Sequence, residues 1–200
     1  MAWRIGIFGG SFNPIHRGHT GIADALCRLG AVDEVWLMVS PLNPLKQGQQ
    51  NELLDDAVRL HLARLATADL PHVHVSDFET RLPVPSYTIT TLARLQEAYP
   101  DVEFVLVIGE DNWQRFDLWR EHDVIRTNYD IVVYGRNGGT THVDIHRKDG
   151  TTALLGNVKG YDVSSTKVRQ ALCDGRWSYT EKWLHPAVCR YIRTNHLYMK

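Results

Sequence analysis

The chain has 200 residues, 44% of them apolar, with 22 Lys and Arg against 23 Asp and Glu for a net charge of -1. That size and apolar content suit one domain, residues 1–200, which buries roughly 70% of its unfolded surface, and they exclude a disordered or collagen-like chain. The charge balance argues against a protein that coats a nucleic-acid polymer, which needs a basic stripe, but leaves room for a small anion held by a few local cations.

Short apolar runs alternate with helical patterns along the chain. Residues 3–8 read as a strand, stopped by Gly9 and Gly10. Residues 18–29 read as a helix, with Ile22, Ala25, Leu26 and Leu29 at three-to-four spacing. Residues 35–39 form an all-apolar run, as in a strand buried on both faces. A helix is expected over 51–68, with Leu54, Val58, Leu62 and Leu65 on one stripe, then a strand over 73–76. A further helix covers 88–99 and ends at Pro100. Strands follow over 104–108 and 131–134, with a helix over 113–122 between them.

Beyond that the pattern weakens. Residues 135–160 are rich in Gly, Thr and polar side chains and read as a loop with one or two short strands. Helices are expected over 165–173, capped by Ser164 or Ser165, and over 186–195, with Pro186 at the first position. Strand–helix alternation implies an α/β fold, a doubly wound parallel sheet with a small C-terminal helical part. In such sheets ligands bind at the carboxyl ends of strands, where strand order reverses.

Cys27, Cys173 and Cys189 are odd in number and widely spaced, with no C-x-x-C pair. This fits unpaired thiols in a reducing compartment, and a cytoplasmic location is expected. No apolar run approaches the length of a membrane span, and the apolar N-terminus is too short for a signal peptide.

Two motifs carry chemistry. The first is Gly9-Gly10-Ser11-Phe12-Asn13-Pro14-Ile15-His16-Arg17-Gly18-His19, between the first strand and the first helix. Its paired glycines allow a tight turn and close approach of backbone N–H groups to a ligand, although Gly-Gly after a strand is also an ordinary turn. Gly18 leaves the helix start bare, where an anion can reach free N–H groups. His16 and His19 are three apart and share a helical face. Bound phosphate favours their protonated form, which adds donors; half of a metal site is the other reading. The second motif is Val163-Ser164-Ser165-Thr166-Lys167-Val168-Arg169. Hydroxyls, helix-start N–H groups and a guanidinium together suit a phosphate chain, and a plain cap with a solvated Arg is the alternative.

The pattern G-G-S-F-N-P-x-H-x-G-H resembles the signature of the nucleotidyltransferases with an H-x-G-H motif. Seven fixed positions at roughly 5% usage each make chance agreement on the order of one in a billion per start point. The second motif is similar to the I-S-S-T-x-I-R signature of the same superfamily, with Val163 and Val168 in place of isoleucine. Pro41 through Lys46, Pro85 through Leu92, Ile108 through Asp111 and Phe116 through Trp119 narrow the resemblance to bacterial nicotinate-nucleotide adenylyltransferases, over essentially the whole chain. The resemblance implies adenylyl transfer from ATP to nicotinic acid mononucleotide, giving deamido-NAD and pyrophosphate in NAD biosynthesis. Two positions depart from the commonest family pattern. Asn13 stands where many members carry Asp, and Leu45 where many carry His before the Lys.

For that reaction the resemblance assigns His16, His19, Lys46 and Arg169 to catalysis. Gly9, Gly10, Ser11, Phe12, Gly18, Gly109, Asp111, Ser165 and Thr166 are assigned to ATP. Asn13, Tyr87, Thr88, Trp119 and Arg136 are assigned to the mononucleotide. Several of these carry a second reading: a cap for Asp111 and Thr88, core packing for Trp119, a solvated side chain for Arg136. No protein side chain is expected to ligate metal; Mg²⁺ arrives on the ATP phosphates, since it keeps waters and uses few protein ligands. The partners expected are ATP and the mononucleotide, with no nucleic-acid polymer and no membrane.

Three rivals remain. One is the same reaction on nicotinamide mononucleotide, whose carboxamide needs an acceptor as well as donors. Another is phosphopantetheine adenylyltransferase, whose chains are shorter and usually carry Thr at the position of His16. The third is a non-catalytic nucleotide sensor, which His16, His19, Lys46 and Arg169 all count against.

Overall fold

The computed structural model describes residues 2–41, 53–135 and 139–199. Seven strands form one sheet in the order β3-β2-β1-β4-β5-β6-β7. They are β1 (Trp3–Gly10), β2 (Glu34–Val39), β3 (Val73–Ser76), β4 (Val102–Gly109), β5 (Asp130–Tyr134), β6 (Gly139–His146) and β7 (Thr152–Gly160). The first five are mutually parallel, and β6 and β7 add antiparallel. The helices are α1 (Arg17–Arg28), α2 (Asp56–Thr67), α3 (Thr88–Ala98), α4 (Glu110–Trp113), α5 (His122–Asn128), α6 (Ser165–Cys173), α7 (Trp177–Trp183) and α8 (Pro186–Thr194).

The central stretches of β1, β2, β4 and β5 are apolar because both faces are covered, with Arg4, Glu34, Glu103 and Asp130 kept to the strand starts. Alternate residues point to opposite layers. On β4, Val105 and Val107 pack with Ile22, Leu26 and Leu62 of α1 and α2, while Phe104, Leu106 and Ile108 pack with Leu92, Leu95 and Ile125 of α3 and α5. The first layer extends to α6 and α8 through Val168, Val188 and Ile192. Strand order reverses between β1 and β4, which pair from Trp3↔Val102 to Phe8↔Val107. That reversal opens a crevice at the carboxyl ends of these two strands. Among the described residues no helix is long and apolar enough to cross a membrane.

Several elements differ from the sequence expectation. The segment expected as a loop with one or two short strands over 135–160 holds two long strands paired as the β6–β7 hairpin. On β6 Thr141, Val143 and Ile145 are buried and alternate with more exposed residues, a two-residue period that Gly, Thr and charged neighbours obscure. β7 lies at the sheet edge and buries little, so its apolar pattern is weak. The helix expected over 113–122 is instead α4, a 3₁₀ turn over Phe116–Leu118, and α5. Glu121 has φ of 54°, a left-handed conformation that no continuous helix accepts. α2 starts at Asp56 rather than at 51, of which residues 51 and 52 lie outside the described residues. Leu54 is held instead by the β1–α1 loop: its N–H donates to Asn13 Oδ1 at 3.3 Å. α7 was not expected; it is seven residues long, and of these only Thr180 is fully buried.

Candidate active site

The first motif follows β1 directly. Gly10 closes the strand, and its bare Cα faces the Phe12 ring, which lies 3.0 Å from where a Cβ would stand. Phe12 has φ of 43° and is buried. The turn therefore folds an aromatic ring back over the strand end, a second reason for glycine beyond ligand approach. At Gly9 the nearest atom to such a Cβ is Ser40 Oγ at 4.0 Å, so this position is open toward the cleft.

His16 is the N-cap residue of α1 and is buried. Its ring stacks on that of His19 with centroids 3.8 Å apart and planes 19° apart. Phe12 meets His19 edge-on at 4.9 Å, and Phe8 does so at 6.1 Å. The His16 backbone N–H donates to His19 Nδ1 at 3.3 Å. In the neutral ring this leaves the hydrogen on Nε2. Gly18 makes the packing possible: a Cβ there would stand 3.0 Å from the His16 ring and 3.1 Å from Val163 Cγ1.

The second motif docks on the first. Ser164 caps α6, its Oγ accepting from the Lys167 N–H at 3.2 Å. Ser165 Oγ donates to the Pro14 carbonyl at 2.9 Å. Arg169 Nη1 donates to the Asn13 carbonyl at 2.9 Å. Two hydrogen bonds thus join segments 151 and 156 residues apart. Thr166 and Lys167 are exposed, and Lys167 Nζ pairs with Asp162 at 2.6 Å.

Two adjoining clefts flank this junction. One, about 650 Å³ including space open to solvent, lies at the β1–β4 crevice and is lined by Gly9, Gly10, Thr88, Gly109, Asn112 and Trp119, among others. The second, about 670 Å³, is lined by His16, Gly18, His19, Tyr161, Ser164 and Lys167, among others. Tyr134, at the end of β5, borders both. Trp119 is half-buried beside Phe116 at 5.3 Å, and its indole N–H has no hydrogen-bond partner among the described residues. Thr88 opens α3 but Tyr87 holds the cap position, with the Arg120 guanidinium 4.8 Å over the Tyr87 ring. Asp111 is exposed in the first turn of α4, where Gly109 is the cap residue. Ser11 and Asn13 lie in the same β1–α1 loop. Lys46 and Arg136 lie outside the described residues. Among the described residues no three His, Cys, Asp or Glu side chains gather into a metal-binding group.

Residues 7–171 match the cytidylyltransferase-like family model. A relative from Bacteroides thetaiotaomicron named as a nicotinate-nucleotide adenylyltransferase is 44% identical over 95% of this chain and 91% of its own. The chain belongs to the nicotinate-nucleotide adenylyltransferase family. A Vibrio parahaemolyticus structure named for the same activity is 25% identical, with a TM-score of 0.71 over 98% of this chain and 95% of that one. The fold is also that of the Plasmodium falciparum nicotinic acid mononucleotide adenylyltransferase complexed with NaAD, 18% identical with a TM-score of 0.75 over 98% and 97% of the two chains.

In this family member three supporting residues escape the sequence reading. Arg59 is fully buried and donates to the carbonyls of Ser11 at 2.6 Å, Ser40 at 2.9 Å and Leu54 at 2.9 Å. It ties the ends of β1 and β2 together. Glu79 lines the first cleft and accepts from Ser40 Oγ at 2.8 Å and Thr91 Oγ1 at 3.3 Å. Tyr198 reaches Asn13 from the far end of the chain. A charge between Val58 and Leu62, inside an apolar stripe, was the available signal for Arg59; the other two had none.

Proposed function

We propose that this chain transfers the adenylyl group of ATP to nicotinic acid mononucleotide, releasing pyrophosphate and forming deamido-NAD. The observation that carries the reading is the docking of α6 on the β1–α1 loop, which sets Arg169 against Asn13 and places Ser164 and the His16–His19 stack around one cleft.

The nucleophile is the mononucleotide's 5′-phosphate oxygen, already ionised at neutral pH. It attacks the α-phosphorus of ATP, and the bond from that phosphorus to the bridging oxygen of the departing pyrophosphate breaks. No protein base or protein nucleophile is needed. The protein's task is to hold two anions together and to stabilise charge on the leaving group. In this reading His19 presents its Nε2 hydrogen to the triphosphate, and His16, packed flat behind it, fixes the ring's orientation. Arg169 and the α6 start, with Ser165 and Thr166, take the β and γ phosphates. Mg²⁺ enters as part of the ATP substrate. The crevice with Thr88 and Trp119 takes the pyridine side, where an indole face can stack on the ring. Lys46 and Arg136 enter by sequence pattern alone. Three free thiols support work in a reducing compartment, and we place it in the cytoplasm.

The test mixes protein, ATP and Mg²⁺ with equal concentrations of nicotinic acid and nicotinamide mononucleotides. Pyrophosphate release with deamido-NAD as the main dinucleotide supports the reading. NAD as the main product shifts the substrate to the amide. No release with either one favours a sensor.

A further inference from the structure

We propose that Tyr198 is a positioning residue for this reaction: its phenol fixes Asn13 and, through the Asn13 backbone, sets where Arg169 stands. The inference rests on Arg169 holding ATP phosphates.

Tyr198 lies four residues past the end of α8 and 185 residues from Asn13 in sequence. Its hydroxyl donates to Asn13 Oδ1 at 2.7 Å. The Leu54 N–H donates to the same oxygen at 3.3 Å. Two donors converge on one atom, which settles which end of the Asn13 amide is oxygen and locks its rotamer. The backbone carbonyl of that same residue accepts from Arg169 Nη1 at 2.9 Å. The guanidinium is thus anchored by one nitrogen to a residue that the C-terminal segment holds in place.

The segment is built for this contact. His196 and Tyr198 both adopt left-handed backbone, with φ of 53° and 60°. Such conformations cost non-glycine residues about 1 kcal/mol each and persist where surrounding contacts hold them. Here Leu197, Tyr198 and Met199 pack against the α1–α2 side of the core. Burial pushes the Tyr198 phenol above its ordinary range, against the opposing pull of Arg169 and Arg59. The hydroxyl therefore keeps its proton and stays a donor. The neutral amide oxygen of Asn13 accepts that hydrogen.

The test is a double-mutant cycle of Tyr198→Phe with Arg169→Ala, read by titration with ATP and Mg²⁺ in the absence of mononucleotide, by pyrophosphate release and by thermal unfolding. Tyr198→Phe keeps the ring and removes one hydrogen bond, so the protein folds with a midpoint lowered by a few degrees. Its Kd for ATP rises about five- to tenfold. In the Arg169→Ala background the same substitution changes Kd by less than about twofold, because the group it positions is gone. Equal losses in both backgrounds, or an unchanged Kd, overturn the proposal and leave Tyr198 a packing residue. Should Tyr198→Phe fail to fold, Asn13→Ala cuts the same bond from the other end and must show the same coupling. Wild-type protein that binds ATP yet releases no pyrophosphate refutes the proposed reaction alone, and the ATP cycle still decides Tyr198. Wild-type protein that binds no ATP refutes both.

Discussion

Replacing Arg59 with methionine keeps most of the side-chain volume and removes every donor. The side chain is fully buried, and three backbone carbonyls, those of Ser11, Ser40 and Leu54, then lose their partner. Each buried acceptor left unsatisfied costs about 1–3 kcal/mol. The Asp56 carboxylate, 39% exposed, regains water and adds little. All three bonds are part-buried, so water reaches the freed carbonyls in part and the sum is about 4 kcal/mol. That is a large share of a total stability of about 5–15 kcal/mol. For a chain of this size 1 kcal/mol moves the unfolding midpoint by about 2–4 °C, so Arg59→Met lowers it by about 8–16 °C. Circular dichroism melts of wild type and variant at equal concentration measure this directly. Arg59→Lys, which keeps the charge but cannot fork between acceptors, falls in between. A midpoint within about 3 °C of wild type for the methionine variant would refute the argument that Arg59 holds the strand ends together.

Three further outcomes are expected. His19→Ala lowers turnover by two to four decades, about 3–5 kcal/mol of transition-state stabilisation, with a smaller change in ATP affinity; near-normal turnover removes His19 from the mechanism. Gly18→Ala forces a methyl to within 3.0 Å of the His16 ring, so kcat falls by at least about tenfold as the imidazole stack shifts, and an unchanged kcat argues that the stack is not needed. His146 stacks on Trp113 at 4.2 Å, and burial lowers its pKa from 6.5. The folded state then binds fewer protons than the unfolded chain, so stability from this site is present above pH 6.5 and is lost as pH falls below it. His146→Phe keeps the stack and should flatten the midpoint-versus-pH curve on its acid side; a curve parallel to wild type counts against this account.

Much of the fold was legible from periodicity. The runs of β1, β2, β4 and β5 are apolar because helices cover both faces, and that signal survives without any neighbour being known. The β6–β7 hairpin was legible only as one or two short strands in a loop, since only one face of β6 is buried and β7 is an edge. The site divides in the same way. His16, His19, Ser164 and Arg169 sit in two dense motifs, and both motifs meet at the carboxyl end of the sheet. Of the histidines to which the sequence assigns no task, His146 packs on Trp113, and His185 caps α8 and pairs with Asp69 at 3.1 Å.

The sequence by itself determined the family, the reaction class and most of the parallel strands and longer helices, because residue spacing within a strand or helix is a local property. What only the tertiary structure decided is which side chains hold the site in shape. Arg59, Glu79 and Tyr198 act across contacts between segments far apart in the chain, up to 185 residues for Tyr198 and Asn13. Hydrogen bonds of that kind depend on where folding brings two backbones, and no spacing rule along one segment contains that distance.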